Sequence, residues 1–366
     1  MGNHALLSAS SSHRWLNCPP SARLCEEYAA TTSNYAQEGT DAHTLCTYKL
    51  QKALGIKTFN PTADLTYYNQ EMEDIANDYV TFILELANVP GSKVMIEQRL
   101  DISDYIEGGF GTGDCIVVAD KVLHIVDFKY GQGVMVESED NTQMKLYALG
   151  ALKMLDGIYD IDHVSMTIYQ PRRSNITTHT LFKESLYQWA EDIVKPTAAL
   201  AYAGGGEFSS GDWCKFCRAK VECRARAEEN LKLVKFDFKP AALLDEDEIA
   251  EILGKIDNLV AWAADIKEHA LQAALSGAQW QGWKLVESRS NRKYVDDKVV
   301  ATVVELAGYD PYEHSVIGIT AMEKLLGKAK FAELLGGYIE KPKGKPTLVP
   351  ESDKRQAIEP AAKDFI

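Results

Sequence analysis

The spacing of apolar residues in the first part of the chain predicts two helices followed by three strands. Apolar positions recur at helical spacing from Gln37 to Leu54 and again from about Asn69 to Leu86. The period then becomes that of strands at Lys93–Ile102, Gly113–Ala119 and Val122–Lys129. Because short, turn-rich segments connect these strands, we expect them to pair as antiparallel neighbours.

Helices and strands alternate in the next segment. Glu137–Leu155 is predicted to form a helix with acidic residues in its first turn and a buried apolar face. His163–Gln170 and Ile176–Phe182 have the pattern of strands, and Glu184–Tyr202 has that of an amphipathic helix ended by glycines. The order of elements is helix, three antiparallel strands, helix and strand, which predicts an α/β fold.

The character of the sequence changes in its last third. Leu243–Leu275 predicts one or two long helices, Trp280–Val286 has the pattern of a strand, and helices are expected at Val295–Leu306 and Ala321–Leu335. The long helical segment is predicted to bury the apolar residues Ile249, Ile252, Leu253, Ile256 and Leu259.

Length and composition favour two domains without a membrane span. A chain of 366 residues that is 46% hydrophobic exceeds the usual size of a single core, so we predict a first domain over residues 1–230 and a mainly helical region over 231–366. No apolar run approaches the roughly eighteen residues that a membrane span needs, and Met1–His4 lacks the basic and apolar character of a signal peptide. We therefore expect a cytoplasmic protein with reduced cysteines.

The net charge of −14 argues against a protein whose whole surface binds DNA, because phosphate contacts normally come from clustered Lys and Arg side chains. A local basic groove is compatible with that sum. Its candidates are Arg172-Arg173, Arg289–Lys293 and Lys341–Lys345, although solvated surface charge is the simpler interpretation of each one alone.

Two carboxylates and a lysine are predicted to meet at one end of the second and third strands. Asp114 enters one strand, and Asp127 and Lys129 end the next on a common face. Carboxylate oxygens suit Mg²⁺ or Mn²⁺, and a lysine can position a water or offset developing charge, so the set matches phosphodiester hydrolysis. The simpler alternative is that these charged residues only reach solvent at a strand end.

Residues on two helices could complete this site. His43, one turn into the first helix, could supply a nitrogen ligand to the same ion. Gln143 and Tyr147 are four residues apart on the next helix and so share a face, where they could hydrogen-bond the active-site backbone or a phosphate.

Three cysteines form a compact potential metal centre. Cys214, Cys217 and Cys223 have the spacing C-x2-C-x5-C, and their thiolates can converge on one centre whose fourth ligand is missing locally. This spacing does not separate an iron-sulfur cluster from zinc. Cys46 and Cys115 occupy apolar patterns and are predicted to be core residues.

These motifs together resemble the RecB-like branch of the PD-(D/E)XK nucleases, which includes AddB-type helicase-nucleases and CRISPR-associated RecB-like exonucleases. The motifs are G-x-x-x-H ending at His43, G-x-x-D ending at Asp114, D-x-K from Asp127 to Lys129, and Q-x-x-x-Y from Gln143 to Tyr147.

The resemblance covers roughly residues 1–225 and implies a restriction-endonuclease-like core. It also implies that His43, Asp114 and Asp127 ligate a metal, with the carbonyl of Phe128 as a further ligand, and that Lys129 assists the attacking water. Glu97, on the preceding strand, is a weaker candidate ligand.

The resemblance also implies how the cysteines act. In iron-sulfur members of this family, one cysteine precedes the nuclease core and three follow it, so that a 4Fe-4S cluster staples the two ends of the domain. Cys18 fits the first position beside Cys214, Cys217 and Cys223, and Cys25 competes with it from an expected helix. Structural Zn²⁺ is the alternative to the cluster.

The function that follows from the resemblance is a metal-dependent deoxyribonuclease, an exonuclease that processes DNA ends in phage recombination, replication or repair. Its expected partners are DNA and a phage single-strand annealing or binding protein. The C-terminal region from about Leu243 has no counterpart in the family core; because it lacks a second catalytic set and carries Arg289, Arg292 and Lys293, we expect it to contact DNA or a partner protein. Two alternatives are a catalytically silent DNA-binding or assembly module on the same fold, and a zinc-stabilised transcriptional or adaptor protein.

Overall fold

Two units make up the chain in the computed structural model, Met1–Ala270 and Leu271–Ile366, and the boundary predicted at residue 230 falls inside the first. The basic candidates Arg289–Lys293 and Lys341–Lys345 lie outside the described residues. The structure describes residues 5–29, 34–233, 244–287, 294–312 and 316–340, together with residues 349, 353 and 356.

A five-stranded sheet forms the centre of the first unit. Its strands lie in the order in which they occur along the chain, with the third and fourth strands parallel and all other neighbours antiparallel. The predicted antiparallel pairing of the first three strands and the α/β class are therefore confirmed. The strands are β1 Lys93–Asp101, β2 Phe110–Ala119, β3 Val122–Phe128, β4 His163–Gln170 and β5 Asn175–Phe182.

Five predicted helical segments are present in this part of the chain. A π-helical segment, Ala190–Val194, joins the sixth and seventh helices, so the single helix expected there is continuous but locally widened. The helices of this part of the chain are α1 Ser12–Asn17, α2 Ser21–Leu24, α3 Asn34–Ala53, α4 Gln70–Leu86, α5 Thr142–Leu155, α6 Lys183–Trp189, α7 Lys195–Ala203, α8 Arg224–Leu231 and α9 Glu246–Leu275. The predicted segments correspond to α3, α4, α5, the continuous α6–α7 helix and α9, whereas the short helices α1, α2 and α8 were not predicted from periodicity.

Both faces of the sheet are covered, which explains why its central strands are apolar at nearly every position. Ile116 and Val118 of β2 pack in a core cluster with residues of α5 to α7. Their neighbours Cys115 and Val117 pack in a second cluster with residues of α3 and α4. Cys46, on α3, belongs to that second cluster, so the prediction that Cys46 and Cys115 are core residues is confirmed.

Helix α5 is the crossover between the parallel strands β3 and β4, so the carboxyl ends of these strands lie at the same edge of the sheet. The helix begins at Thr142 rather than at Glu137. The side chain of Asn141 caps it by accepting from the N–H of Met144, and Asp140 before the cap has a φ of 52°. The acidic residues predicted for the first turn therefore lie in the preceding loop.

Two predictions for the C-terminal region are wrong. Trp280–Val286 forms turn and coil, and no described strand pairs with it. The second wrong prediction is that α9 buries its apolar face. Ile252 and Leu259 are only half-buried. Helical periodicity identifies an apolar face but does not supply an element to cover it. Three more residues of that face are exposed: Ile249 at 46%, Leu253 at 49% and Ile256 at 39%.

The second unit contains three further short helices among its described residues. The helix expected at Ala321–Leu335 is divided at Gly327, whose φ of 77° is left-handed and ends the first half. None of the described helices in either unit combines the length and apolar character needed to cross a membrane. The three helices are α10 Asp297–Leu306, α11 Ile319–Leu326 and α12 Lys328–Leu335.

Candidate functional site

Three acidic residues lie abreast on adjacent strands. The register of the flanking pairs sets Glu97 of β1 opposite Asp114 of β2, and sets Asp114 opposite Asp127 of β3. Strand spacing of roughly 4.8 Å brings such neighbours close together. The sheet therefore places the two predicted carboxylates on neighbouring strands, and Glu97 instead of Asp127 joins Asp114 in the group of ligand atoms described next.

Asp114 is the centre of a potential metal site. Its Oδ2 accepts a hydrogen bond from the backbone N–H of Phe128 at 2.8 Å, and lies 3.5 Å from Nδ1 of His43. One ligand atom each from His43, Glu97 and Asp114 lie within 4.8 Å of one another. A nitrogen and two carboxylates on this scale form a donor set suited to Mn²⁺ or Mg²⁺.

Glu97 reaches this position from an unusual backbone conformation. Its φ of 50° is left-handed in the middle of a strand, which costs a non-glycine residue about 1–3 kcal/mol. The carboxylate accepts from Thr47 Oγ1 at 3.1 Å, so α3 contacts it as well. Periodicity does not single out this residue, because β1 also carries the polar residues Lys93, Gln98, Arg99 and Asp101; only the family resemblance named Glu97, as a weaker candidate ligand.

Asp127 and Lys129 meet on the side of the sheet that α5 covers. Lys129 Nζ lies 2.8 Å from Asp127 Oδ2, as their common face predicts. Gln143 Nε2 donates to Asp127 Oδ1 at 3.2 Å and to the hydroxyl of Tyr147 at 2.9 Å. Gln143 thus binds the Asp127 carboxylate, rather than the backbone that was predicted as one of its partners.

A glycine in the G-x-x-D motif makes room for Tyr147. A Cβ at Gly111 would lie 2.5 Å from Cε1 of Tyr147, so any larger residue there must displace the ring. Tyr147 is buried, and burial raises the pKa of its hydroxyl to about 12. Tyr147 therefore stays neutral and keeps the hydrogen bond that orients Gln143.

The electrostatics of the site favour a bound cation. Burial and the neighbouring charge of Asp127 raise the pKa of Asp114 well above its usual range. Burial lowers the pKa of His43, so its ring is neutral at pH 7 and has a lone pair for a metal. Burial alone would lower the pKa of Lys129, but Asp127 and Asp114 outweigh it and raise the pKa, so Lys129 is charged.

The four cysteines predicted to bind a cluster line one cavity beside the first helices. Cys18, Cys214, Cys217 and Cys223 all contribute to its wall, together with Arg14, Ser21, Leu24, Phe208, Ser209, Trp213 and Lys220. The N-terminal segment is held there because Ser209 Oγ donates to the carbonyl of Asn17 and His13 Nε2 lies 3.1 Å from Asp212 Oδ2.

Cys25 takes a different position from Cys18. Its Sγ lies 3.7 Å from Sγ of Cys217, and Arg14 Nη1 donates to it at 3.0 Å. The hydrogen bond with Cys217 lowers the pKa of Cys25 and raises that of Cys217, with Arg14 adding to the first effect. Cys25 lies at the C-terminal end of α2, where a short 3-10 turn replaces the expected continuous helix.

The distances between the cysteine thiols can be compared with those in a site for one zinc ion. Four thiolates on one zinc ion lie roughly 3.8 Å apart, given Zn–S bonds of about 2.3 Å in a tetrahedron. Among the described residues, which include all seven cysteines, no three thiols come within 4.8 Å of one another. The described cysteines are therefore not gathered as the ligands of one zinc ion would be.

Two comparisons with known proteins produce matches. The sequence model of a family described as a protein of unknown function (DUF2800) matches residues 4–356. A solved structure described as the crystal structure of SSO0001 is 13% identical, with a TM-score of 0.21, and the match covers 50% of this chain and 95% of that one.

Proposed function

The chain belongs to the DUF2800 family, whose function is unknown, and we propose that it is a divalent-metal-dependent deoxyribonuclease. The observation that carries this proposal is the convergence of Asp114, Asp127 and Lys129, with Lys129 Nζ 2.8 Å from Asp127. A protein that only binds nucleic acid has no need of buried carboxylates beside a phosphate. The carboxylates of Asp114 and Asp127 therefore fit phosphodiester hydrolysis better than binding of DNA alone.

His43, Asp114, Glu97 and Asp127, with the carbonyl of Phe128, are the residues that would hold the metal. When bound, Mg²⁺ or Mn²⁺ polarises the phosphate and acidifies a water. The raised pKa of Asp114 supports this assignment, because a divalent cation would relieve the repulsion between Asp114 and Asp127.

Each remaining residue of the site has a role that follows from its contacts. The ammonium of Lys129 can orient the attacking water and offset negative charge on the phosphate. Gln143 holds the second oxygen of Asp127 at 3.2 Å, which fixes the carboxylate that Lys129 contacts. Tyr147 in turn fixes Gln143 through the hydrogen bond between them.

The choice of DNA as substrate rests on the sequence motifs that resemble the RecB-like PD-(D/E)XK nucleases. The order helix α3, antiparallel strands β1 to β3, crossover helix α5 and parallel strand β4 supports a restriction-endonuclease-like core. On this basis we infer an exonuclease that processes DNA ends in phage recombination, replication or repair.

We further propose that Cys18, Cys214, Cys217 and Cys223 hold a 4Fe-4S cluster. The support is that these four side chains line one cavity, together with the cysteine pattern that resembles iron-sulfur members of the nuclease family. A cluster there would join the N-terminal segment to the segment after α7 and would restrict the unfolded chain. Its role would be structural, because neither these cysteines nor their neighbours belong to the carboxylate site.

The region after residue 230 is the candidate for partner binding. Its support is the exposed apolar face of α9, with Ile249, Leu253 and Ile256, since exposed apolar patches commonly mark interaction sites. A phage single-strand annealing or binding protein is the partner we infer from the nuclease assignment. Replacing Ile249, Leu253 and Ile256 with serine should weaken co-purification with such a protein without altering the metal requirement of cleavage.

The decisive experiment is digestion of end-labelled single-stranded and duplex DNA, with RNA as a comparison, in Mg²⁺ or Mn²⁺. We expect cleavage by the wild type and a loss on the order of 10³-fold in Asp127→Asn, which keeps the shape of the side chain but not its charge. Asp160→Asn is the matched control, because Asp160 is an exposed carboxylate paired with Lys121 at the other end of β3.

The outcomes separate the candidate functions. Equal cleavage by wild type and Asp127→Asn would refute the assignment of the site. Tight DNA binding without cleavage in either metal would favour the catalytically silent module. Metal-dependent cleavage of RNA alone would keep the chemistry and replace the substrate.

A further inference from the structure

The loop that follows Lys129 is held by one buried glutamine. Residues 130–141 connect β3 to α5 and so separate Lys129 from Gln143. Gln170, at the end of β4, is only 2% exposed. Its Nε2 donates to the carbonyls of Gly131 and Val134, both at 2.8 Å, and its Oε1 accepts from the N–H of Val136 at 3.2 Å.

The neighbouring strand completes this support. Asn175 Nδ2 donates to the carbonyl of Val136 at 2.8 Å and to Gln170 Oε1 at 3.2 Å. The backbone N–H of Lys129 itself donates to the carbonyl of Tyr169 at 2.9 Å, immediately before Gln170. The end of β4 therefore holds both Lys129, through the backbone of Tyr169, and the loop after it, through the side chain of Gln170.

Gln170 is chemically suited to this position. A glutamine amide has two N–H donors and one carbonyl acceptor, and here both donors and the acceptor contact the loop. A glutamate of the same size would keep the acceptor but place its charge against two carbonyls. Leaving buried carbonyls without donors costs about 1–3 kcal/mol each.

Arg172, two residues further on, connects the same loop to the helix that carries His43. Its Nη1 lies 3.0 Å from Glu38 Oε1 and its Nε lies 3.3 Å from Glu71 Oε1. When the side-chain amide of Gln132 is oriented with its oxygen toward Arg172, that oxygen accepts hydrogen bonds from Arg172 Nε and Nη2 at 2.8 and 2.9 Å. Glu38 lies on α3 five residues before His43. The guanidinium of Arg172 therefore contacts both the loop after Lys129 and the helix that carries His43.

From these contacts we propose that Gln170 and Arg172 are positioning residues for the nuclease site, which hold the Lys129 loop in register with the helix of His43. The inference rests on the proposed function. Both residues act through others, Gln170 through the loop backbone and Arg172 through Glu38 and Gln132. A displacement of about 1 Å in a catalytic group can lower kcat on the order of 100-fold.

The test uses Gln170→Glu and Gln170→Ala in the full-length protein. Thr167→Val is the matched control, because Thr167 is buried on the same strand and makes a hydrogen bond of 2.9 Å to Thr178 on β5, away from the loop. We expect both Gln170 variants to lower kcat on the order of 100-fold with KM for DNA unchanged. Hydrogen exchange at the amide of Val136 should accelerate in Gln170→Ala, which removes its acceptor, and Thr167→Val should change neither kcat nor this exchange rate.

A pH series distinguishes positioning from a general loss of stability. A carboxyl at position 170 would have a raised pKa because burial and two carbonyls disfavour its charged form. Protonation restores one donor, so the kcat of Gln170→Glu relative to wild type should rise as pH falls from about 8 to about 6. Gln170→Ala has no such group, and its relative kcat should stay constant.

The results that would overturn the proposal are specific. Wild-type kcat in both Gln170 variants, in a protein that cleaves DNA, would reject positioning and leave the nuclease assignment intact. An Arg172→Gln variant with higher KM, unchanged kcat and a weaker salt dependence would make Arg172 a direct phosphate ligand instead. If the wild type does not cleave, the nuclease assignment itself fails, while the exchange rate at Val136 still reports whether Gln170 holds the loop.

Discussion

The carboxylate site and the cysteine cavity are built in opposite ways. Glu97, Asp114 and Asp127 lie on adjacent strands, so the register of one sheet determines how they meet. Cys18 and Cys214 come from segments far apart in sequence, joined by a few contacts such as that between His13 and Asp212. The first site is set by the fold itself, whereas the second holds two ends of the domain together.

This difference predicts different consequences of substitution. Changes in the carboxylate site should remove chemistry while leaving the sheet intact, because its core is made by apolar neighbours such as Ile116 and Val117. Changes in the cysteine cavity should act through stability, because the N-terminal segment depends on it. The four predictions below test that contrast.

The largest effect is expected for Lys129→Met. Loss of one charged group that stabilises a transition state lowers kcat by about 10²–10³-fold, and the neutral side chain keeps the volume of the stem. The unfolding midpoint should also fall, because the buried Asp127 carboxylate loses its cation and keeps Gln143 as a neutral partner, so the cleavage rate is compared for folded protein. The measurement is single-turnover cleavage of DNA in saturating Mg²⁺.

Lys153→Met is the control for that variant. Lys153 pairs with Asp101 at 2.9 Å and with Asp104, near the far end of α5, so its removal tests loss of a lysine without loss of the site. Near-normal cleavage by Lys129→Met, or an equal defect in both variants, would contradict the role given to Lys129.

The next effect is expected in the cysteine cavity, for Cys18→Ala. If Cys18 completes a 4Fe-4S cluster, the variant should lose bound iron and about 2–5 kcal/mol of unfolding free energy, the scale of a lost native cross-link. Iron and sulfide analysis, absorbance and chemical denaturation measure these changes. The residual activity of folded protein should keep the metal requirement of the wild type.

Cys25→Ala sharpens this test. Cys25 contacts Cys217 at 3.7 Å without lining the cavity, so its replacement should retain iron and cost less stability. Loss of iron in Cys25→Ala and retention in Cys18→Ala would assign the fourth ligand to Cys25. One zinc and no iron in anaerobically purified wild type would reject the cluster.

Much of the carboxylate site followed from the sequence because strand alternation is a short-range property. The positions of Asp114, Asp127 and Lys129 at one end of a hairpin require only two adjacent strands and a short turn. Gln143 and Tyr147 needed only helical spacing. The sequence also predicted the strand His163–Gln170 at its observed bounds.

Features that depend on distant contacts were not predictable in this way. Glu97 joins the site because its backbone adopts a φ of 50°, and no pattern of residue types signals that conformation. Gln170 reads as the end of a strand, and its role depends on where a loop some forty residues away returns. The apolar face of α9 signalled a helix correctly but gave no information on its exposure.

A smaller effect is expected from Gly111→Ala, which tests how tightly α5 is seated against the site. The added methyl would lie 2.5 Å from the ring of Tyr147, and overpacking of this kind costs about 1–3 kcal/mol. Displacement of Tyr147 should disturb Gln143 and lower kcat on the order of tenfold. Thermal unfolding and cleavage rates measure the two effects.

The matched control is the glycine of the other motif. Gly39 lies in α3, and a Cβ there has nothing within 4 Å, so Gly39→Ala should be neutral or stabilise the helix by up to about 1 kcal/mol. A functional need for backbone freedom at Gly39 would make this variant as damaging as Gly111→Ala.

The smallest effect separates stability from chemistry within the carboxylate site itself. The folded protein raises the pKa of Asp114 through burial and the charge of Asp127, so folding favours its protonated form. In metal-free protein the contribution of Asp114 to stability therefore falls as pH rises from its ordinary value of 3.8 through the raised pKa. The penalty grows with pH between these two pKa values and is constant above the raised one.

Asp114→Asn should consequently make the metal-free protein more stable than the wild type at pH 7, because the substitution removes the buried charge that disfavours folding. Below about pH 4, where both states of Asp114 are protonated, the difference should vanish. Asparagine can still accept the hydrogen bond from Phe128 N–H, so the substitution removes charge with little change in shape. Adding Mn²⁺ should stabilise the wild type and not the variant. A metal-free variant that is less stable than wild type at pH 7 would show that Asp114 supports the fold, as the cysteines do, and would remove the contrast between the two regions.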